Sequence, residues 1–478
     1  MNIFINPGAN SPGEPLFLIN DVYNIYRKKY NPEGDNSVYF KKIPEQFPMN
    51  LPKNSKNSDG IWSGCLDYAV CTDIGLRRTN NQDNYAVVPA SSQEDWNSRG
   101  HLFLVADGMG GNAAGELASK LAADSVPMSY KKKVDMIPSE ALRTAIIETN
   151  DLIHKRGNSS EDFHGMGTTC CSFLFLPDGA LIGHVGDSRC YRLRGNVIEQ
   201  MTFDHSLVWE MMALARQSGE TLTEQVPKNY ITRCLGVHPE VTPDIEGPFP
   251  LKPGDTYLLC SDGLSGQVND DEIGKILYTL PPTLAVETLR DLAILRGGPD
   301  NITVVVAKYL GSQKAQGATE DQVASSVPAI KRPFSKSLVT LSIIFLLFGL
   351  CIFPLFKMVG MIVSALSILI AIILSVLAII QRNNGDSLKN KSYGKGPYTK
   401  TSAVPDEAFA KTLMKLISDV RPEAKEALQN KYGQEASSVW NEYRSIEHAA
   451  KTAFENSKFT DAVKNYALSL HFLMEQIR

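Results

Sequence analysis

The chain has 478 residues, 43% of them hydrophobic and 21% charged, with a formal net charge of −4 and a pI near 6.1. That length predicts two or three units rather than one domain, and the near-neutral balance gives no reason to expect nucleic acid as a partner. Eight scattered cysteines, with no CxxC pair, fit a reducing compartment better than a disulfide framework.

Residues 1–60 are rich in Asn, Pro, Lys and Ser and lack sustained periodicity, so they read as a disordered N-terminal arm. A short ordered piece around Leu16–Tyr26 stays open. The N-terminus shows no basic region followed by an apolar stretch, so no cleaved secretory signal is expected. From 61 to 312 the composition is that of one globular domain. Strand-like apolar runs occur at Tyr68–Thr72, Leu102–Ala106, Thr168–Leu176, Ala180–Val185, Cys190–Leu193, Thr256–Cys260 and Ile302–Tyr309. A helix is expected from Pro138 to just before Gly157, and another after Asp270 and Asp271, whose acids suit a helix N-terminus. Strands that arrive as hairpins, without regular βαβ alternation, predict an α+β fold with antiparallel sheets.

Residues 313–336 are polar and read as a linker. Leu338 to Phe356 and Met358 to Ile380 are almost continuously apolar, each about the ~20 residues that cross a bilayer. Lys331, Arg332 and Lys336 precede the pair and Arg382, Lys389, Lys391 and Lys395 follow it. By the positive-inside tendency, residues 337–381 form a two-helix transmembrane hairpin with both flanks cytoplasmic; a re-entrant hairpin is the alternative. Residues 382–397 are a basic linker, and 398–478 a helical tail. There Ala449, Ala450, Ala453 and Phe454, then Phe459, Ala462, Val463, Tyr466, Ala467, Leu470, Leu473 and Met474, make apolar stripes on either side of a turn at Asn456-Ser457-Lys458. That is a helix–turn–helix, resembling one tetratricopeptide unit or a plain helical hairpin. Its stripes are expected to bind a protein partner or the domain at 61–312 itself.

The chemistry lies where apolar runs end in acids. Val105-Ala106-Asp107-Gly108-Met109-Gly110-Gly111, Val185-Gly186-Asp187-Ser188-Arg189, Cys260-Ser261-Asp262-Gly263 and Pro299-Asp300-Asn301-Ile302 repeat one device, and Arg77-Arg78-Thr79-Asn80-Asn81-Gln82-Asp83 precedes them. Carboxylates gathered without a cation would repel and lose solvation, so such a cluster implies a hard divalent metal if the fold assembles it. In this order, with Gly165-Met166-Gly167-Thr168-Thr169 and Asp204-His205-Ser206 between, these segments resemble the metal-dependent protein phosphatases of the type 2C family. The resemblance covers about Tyr68 to Tyr309.

It implies a central antiparallel β-sandwich flanked by helices, with two Mn2+ or Mg2+ ions at one end. Asp107 would bridge both ions, with the Gly108 carbonyl completing one shell. Asp262 and Asp300 would hold the other ion, and Asp83 would act through water. Asp187, with Asp262, matches the third-metal position of bacterial members. Arg78 matches the arginine that grips substrate phosphate. The expected reaction is hydrolysis of phosphoserine and phosphothreonine in proteins by a water activated between the ions, at the cytoplasmic face of a membrane. Two positions depart from the animal pattern: Met109 stands where those members carry a histidine, and Gln82 replaces a glutamate. His205 is read as a structural histidine near a helix start. The rival reading is a catalytically silent relative, a membrane-anchored module that binds phosphoproteins.

Overall fold

The strands that read as unbroken apolar runs are those covered on both faces. The computed structural model describes residues 4–5, 63–218, 230–311, 344, 347, 366–376 and 396–477. Its strands are β1 (Leu66–Asp73), β2 (Asp83–Val88), β3 (His101–Met109), β4 (Cys170–Leu176), β5 (Gly179–Val185), β6 (Arg189–Arg194), β7 (Val197–Gln200), β8 (Asp244–Phe249), β9 (Thr256–Cys260), β10 (Ile302–Tyr309) and β11 (Thr399–Ser402). One sheet runs β8-β5-β4-β3-β2, with Gly167–Thr168 pairing the end of β3; the other runs β11-β7-β6-β9-β10-β1. Neighbouring strands in both sheets pair antiparallel. Phe4–Ile5 also pairs antiparallel with Tyr230–Ile231; the rest of the 1–60 arm lies outside the described residues.

Side chains alternate across each strand. Phe103, Val105, Phe173, Phe175 and Ile182 from one sheet meet Tyr257, Leu259, Val305 and Ala307 from the other in the inner core. Phe103 stacks on Phe173 with centroids 4.8 Å apart, and Phe173 on Tyr257 at 5.3 Å. The alternate residues Leu102, Leu104 and Ala106 face outwards, against Ala118 and Ala122 of α2 (Asn112–Lys132) and Leu142 and Ile146 of α3 (Pro138–Gly157). Leu258, Cys260, Val304 and Val306 of the second sheet pack on α6 (Asp270–Thr279) and α7 (Pro282–Leu295). Asn269 and Glu272 close a capping box at the start of α6. The remaining helices of this part are α1 (Gln93–Ser98), α4 (Leu207–Ser218) and α5 (Asp262–Ser265). The result is a four-layered sandwich.

The tail expected to be helical over 398–478 is not helical throughout. It begins with a strand: β11 pairs β7 with Thr399 opposite Gln200 and Ser402 opposite Val197. Three helices follow, α8 (Glu407–Tyr432), α9 (Ala436–Glu455) and α10 (Phe459–Ile477). Their apolar stripes join one continuous core with α6 and α7, including Phe409, Leu413, Ile417, Tyr443, Tyr466, Leu470 and Leu473. Lys275 to Asp406 at 2.8 Å, Lys400 to Glu199 at 2.7 Å and His471 to Glu287 at 3.1 Å add polar contacts. Each fully buried Leu or Phe contributes about 1.5–3 kcal/mol, so this docking outweighs the exposed ion pairs around it. The partner of the stripes within this chain is therefore the sandwich domain, through α6 and α7.

Residues 1–316 and 393–478 form one compact unit and 317–392 a second. Of the second, 366–376 is helical, as are 344 and 347. Most of the hairpin expected over 337–381 lies outside the described residues; among those that are described, no helix is long and apolar enough to cross a membrane.

Candidate active site

Because the sheets are antiparallel, the ends of β3, β5 and β9 and the starts of β2 and β10 share one edge, and the acids stand there. Asp83 opens β2 directly opposite Asp107 on β3. Asp262 follows β9 at the start of α5, Asp300 precedes β10, and Asp187 follows β5. The glycines beside the acids let backbone approach backbone. A Cβ on Gly108 would stand 2.1 Å from the Gly115 carbonyl oxygen, and one on Gly263 would stand 2.0 Å from that of Asn301. Gly75, at φ +72°, would likewise meet the Asp300 carbonyl oxygen at 2.1 Å.

The acids feel one another. Burial pushes the Asp83 carboxyl up to about 7, with Asp300 and Asp262 adding to the rise. Burial does the same to Asp262, with Asp300 adding. Asp107 is held well above the usual carboxylate range by burial and then by Asp83, Asp262, Asp300 and Asp187. Asp187 is raised by burial, Asp262 and Asp204. Arg78 Nη2 donates to Asp300 Oδ2 at 2.7 Å, so the arginine expected to meet phosphate rests here on a carboxylate. Among the described residues, no three His, Cys, Asp or Glu side chains form a closed ligand set.

Several residues not singled out in the sequence build the frame. Ser261 Oγ donates to Asp83 Oδ2 at 2.7 Å. Asn301 staples the loop that carries Arg78: its Nδ2 donates to Ile74 O at 2.9 Å and Asn80 O at 3.0 Å, and its Oδ1 accepts from Gln82 N–H at 2.8 Å. Thr168 Oγ1 donates to Asp107 O at 2.9 Å, and Thr169 Oγ1 accepts from Asp107 N–H at 2.8 Å. Both threonines therefore hold backbone. Gln82, in place of a glutamate, donates through Nε2 to Gly111 O at 2.7 Å and so ties down the glycine loop. His205 is buried, accepts from Gly186 N–H at 3.0 Å, stacks on His184 and lies 3.1 Å from Asp244. Arg189 of Gly-Asp-Ser-Arg grips Asp204 at 2.7 Å, a structural ion pair rather than a substrate contact. The sequence signal for these pairings was the motifs' order alone, since the partners lie far apart in the chain.

The family described as protein phosphatase 2C matches residues 77–292, a span that holds Arg78, Asp83, Asp107, Asp187 and Asp262, with Asp300 just beyond it. The serine/threonine phosphatase stp of Listeria monocytogenes is 35% identical over 256 residues, covering 52% of this chain and 98% of that protein. Protein phosphatase PhpP of Streptococcus pneumoniae is 34% identical over 247 residues, covering 50% and 96%. Among solved structures, the catalytic domain of the serine threonine protein phosphatase PstP in complex with two manganese ions is 34% identical, with a TM-score of 0.44 and coverage of 52% of this chain and 99% of that one. With its motifs in order, its acids at one edge of an antiparallel sandwich and nearly the whole length of such relatives matched, the chain belongs to the protein phosphatase 2C family, as a serine/threonine phosphatase of the bacterial type.

Proposed function

We propose that the chain hydrolyses phosphoserine and phosphothreonine in proteins, using a pair of Mn2+ or Mg2+ ions at the aspartate edge of the sandwich, next to a membrane. The observation that carries this reading is the convergence of Asp83, Asp107, Asp187, Asp262 and Asp300 on one edge, each of the first four shifted towards its protonated form. Asp83 Oδ1, Asp187 Oδ1 and Asp262 Oδ1 are buried without a hydrogen-bond partner. Hard oxygen donors left unsatisfied in this way fit divalent cations. Asp107, the Gly108 carbonyl, Asp262 and Asp300 would hold the pair, Asp83 would act through water, and Asp187 with Asp262 would serve a third ion. When bound, the ions supply charge neutralisation at phosphorus and a water activated for in-line attack.

The chain's own residues position and exclude. Arg78 is held at the rim by its loop and by Asp300, and its planar fork suits a phosphate monoester once a cation takes over that carboxylate. Thr168 and Thr169 fix the Asp107 backbone, and Ser261 orients Asp83. Met109 carries no proton for the leaving alkoxide, and His205 is committed to Gly186 and Asp244. The membrane reading is supported by the two apolar runs and their basic flanks.

The test is Mn2+-dependent phosphate release from a phosphothreonine peptide by the full chain, with Asp262→Asn alongside. Turnover at least ~10³-fold above that variant is expected. Equal, background-level release from both would leave a phosphoprotein-binding module.

A further inference from the structure

The turn that carries Asp187 is pinned from two sides, and both lead to residues 396–399. On one side Gly186 N–H donates to His205, and His205 lies 3.1 Å from Asp244 on β8. Two residues along β8, Glu246 accepts from Tyr398 O–H and, at 3.0 Å, from Gly396 N–H. On the other side Arg189 grips Asp204, which also accepts from Gln200 Nε2 at 2.8 Å. The Gln200 carbonyl accepts from Tyr398 N–H at 2.8 Å. Arg189 further donates to Tyr191 Oη at 3.0 Å, Tyr191 donates to Asp270 Oδ1 at 2.8 Å, and Thr399 donates to Asp270 Oδ2 at 3.2 Å. The Tyr398 ring meets Phe203, the neighbour of Asp204, edge-on at 5.5 Å.

We infer that residues 396–399 are a positioning element for Asp187, through which the docked C-terminal helices set the cation affinity of the aspartate edge. The inference rests on the cation-dependent reading above. None of these four residues is a candidate ligand, so the role is one of positioning through Glu246, Gln200 and Asp270. Two hydrogen-bonded arms meeting at one turn couple it to their far ends, and such coupling is reciprocal: what strengthens β11 pairing must strengthen cation binding, and the reverse. The Listeria relative is matched over 98% of its length by 256 residues, about half of this chain. The regulation would be particular to chains built like this one.

Two measurements on the full chain test it. Calorimetric titration with Mn2+ compares wild type with the Tyr398→Phe, Thr399→Val double variant, which keeps the ring on Phe203 and the backbone pairing. Hydrogen–deuterium exchange of the wild type is followed with and without Mn2+. At least ~5-fold weaker Mn2+ binding in the variant, and Mn2+-dependent slowing of exchange at amides 398–403, are expected. Mn2+ uptake with an unchanged isotherm and unchanged exchange in that segment overturns the inference alone. No uptake by the wild type overturns the cation reading and this inference together. Should the variant fail to fold, exchange on the wild type decides.

Discussion

Replacing Asp262 by Asn should stabilise the metal-free protein while removing the stabilisation that Mn2+ gives. The Oδ1 of Asp262 is buried, and folding raises its carboxyl from the ordinary 3.8 to about 7. A raised carboxylate pKa means that the folded state prefers the proton. Stability is therefore greatest below about pH 4 and is lost as pH rises towards 7. Three units at ~1.4 kcal/mol each give about 4 kcal/mol. The repulsion is shared with Asp107, Asp83 and Asp300, so about half, ~2 kcal/mol, is assigned to removing one charge. Asn keeps the side chain's shape without its charge. At pH 8 in chelator the variant should melt about 4 °C above wild type, and the two should converge below about pH 4. Mn2+ at 100-fold its dissociation constant adds ~2.7 kcal/mol to wild type and far less to the variant. Thermal denaturation monitored by circular dichroism, at both pH values with and without Mn2+, reads all four cases. A variant less stable than wild type in chelator at pH 8, or equally stabilised by Mn2+, would refute the argument.

Arg78→Ala should lower kcat/KM for a phosphothreonine peptide by about 10–100-fold, mainly through KM, because it removes the guanidinium poised over Asp300; steady-state kinetics at saturating Mn2+ check it. Gly108→Ala should cost more than ~3 kcal/mol, because its Cβ would meet the Gly115 carbonyl oxygen at 2.1 Å; urea denaturation reads this. Leu470→Ala, in the core shared by the tail and α6–α7, should cost ~2–5 kcal/mol in the same assay, whereas an independent tail would leave the main transition where it was. Deleting 337–381 should release the chain from carbonate-washed membranes; retention of that variant, or a fully soluble intact chain, would refute the anchor.

The placement of the acids at strand ends was legible from the local pattern. Asp107, Asp262 and Asp300 each close or open an apolar run that can be seen locally, and β9 and β10 fall where the runs placed them. What pins those acids was not legible. Asn301, Ser261 and Arg189 act on partners that only the folded sheets bring near. The tail's docking was hidden for a related reason. β11 is four residues, Thr-Lys-Thr-Ser, with no apolar alternation, and its pairing with β7 follows an intervening stretch of almost 200 residues. β2 and β8 were missed because charged, glycine and proline residues break their apolar character, as in Asp-Ile-Glu-Gly-Pro-Phe. The helical stripes of α9 and α10 were visible; that their counterpart is α6–α7 was not, since an amphipathic face names no partner.

Anomalous diffraction from crystals of the full chain soaked in Mn2+ bears most directly on the whole account. Two strong peaks within ligand distance of Asp107, the Gly108 carbonyl, Asp262 and Asp300, with the Arg78–Asp300 contact opened, are what it predicts. Manganese bound elsewhere, with Asp300 still paired to Arg78, would contradict it.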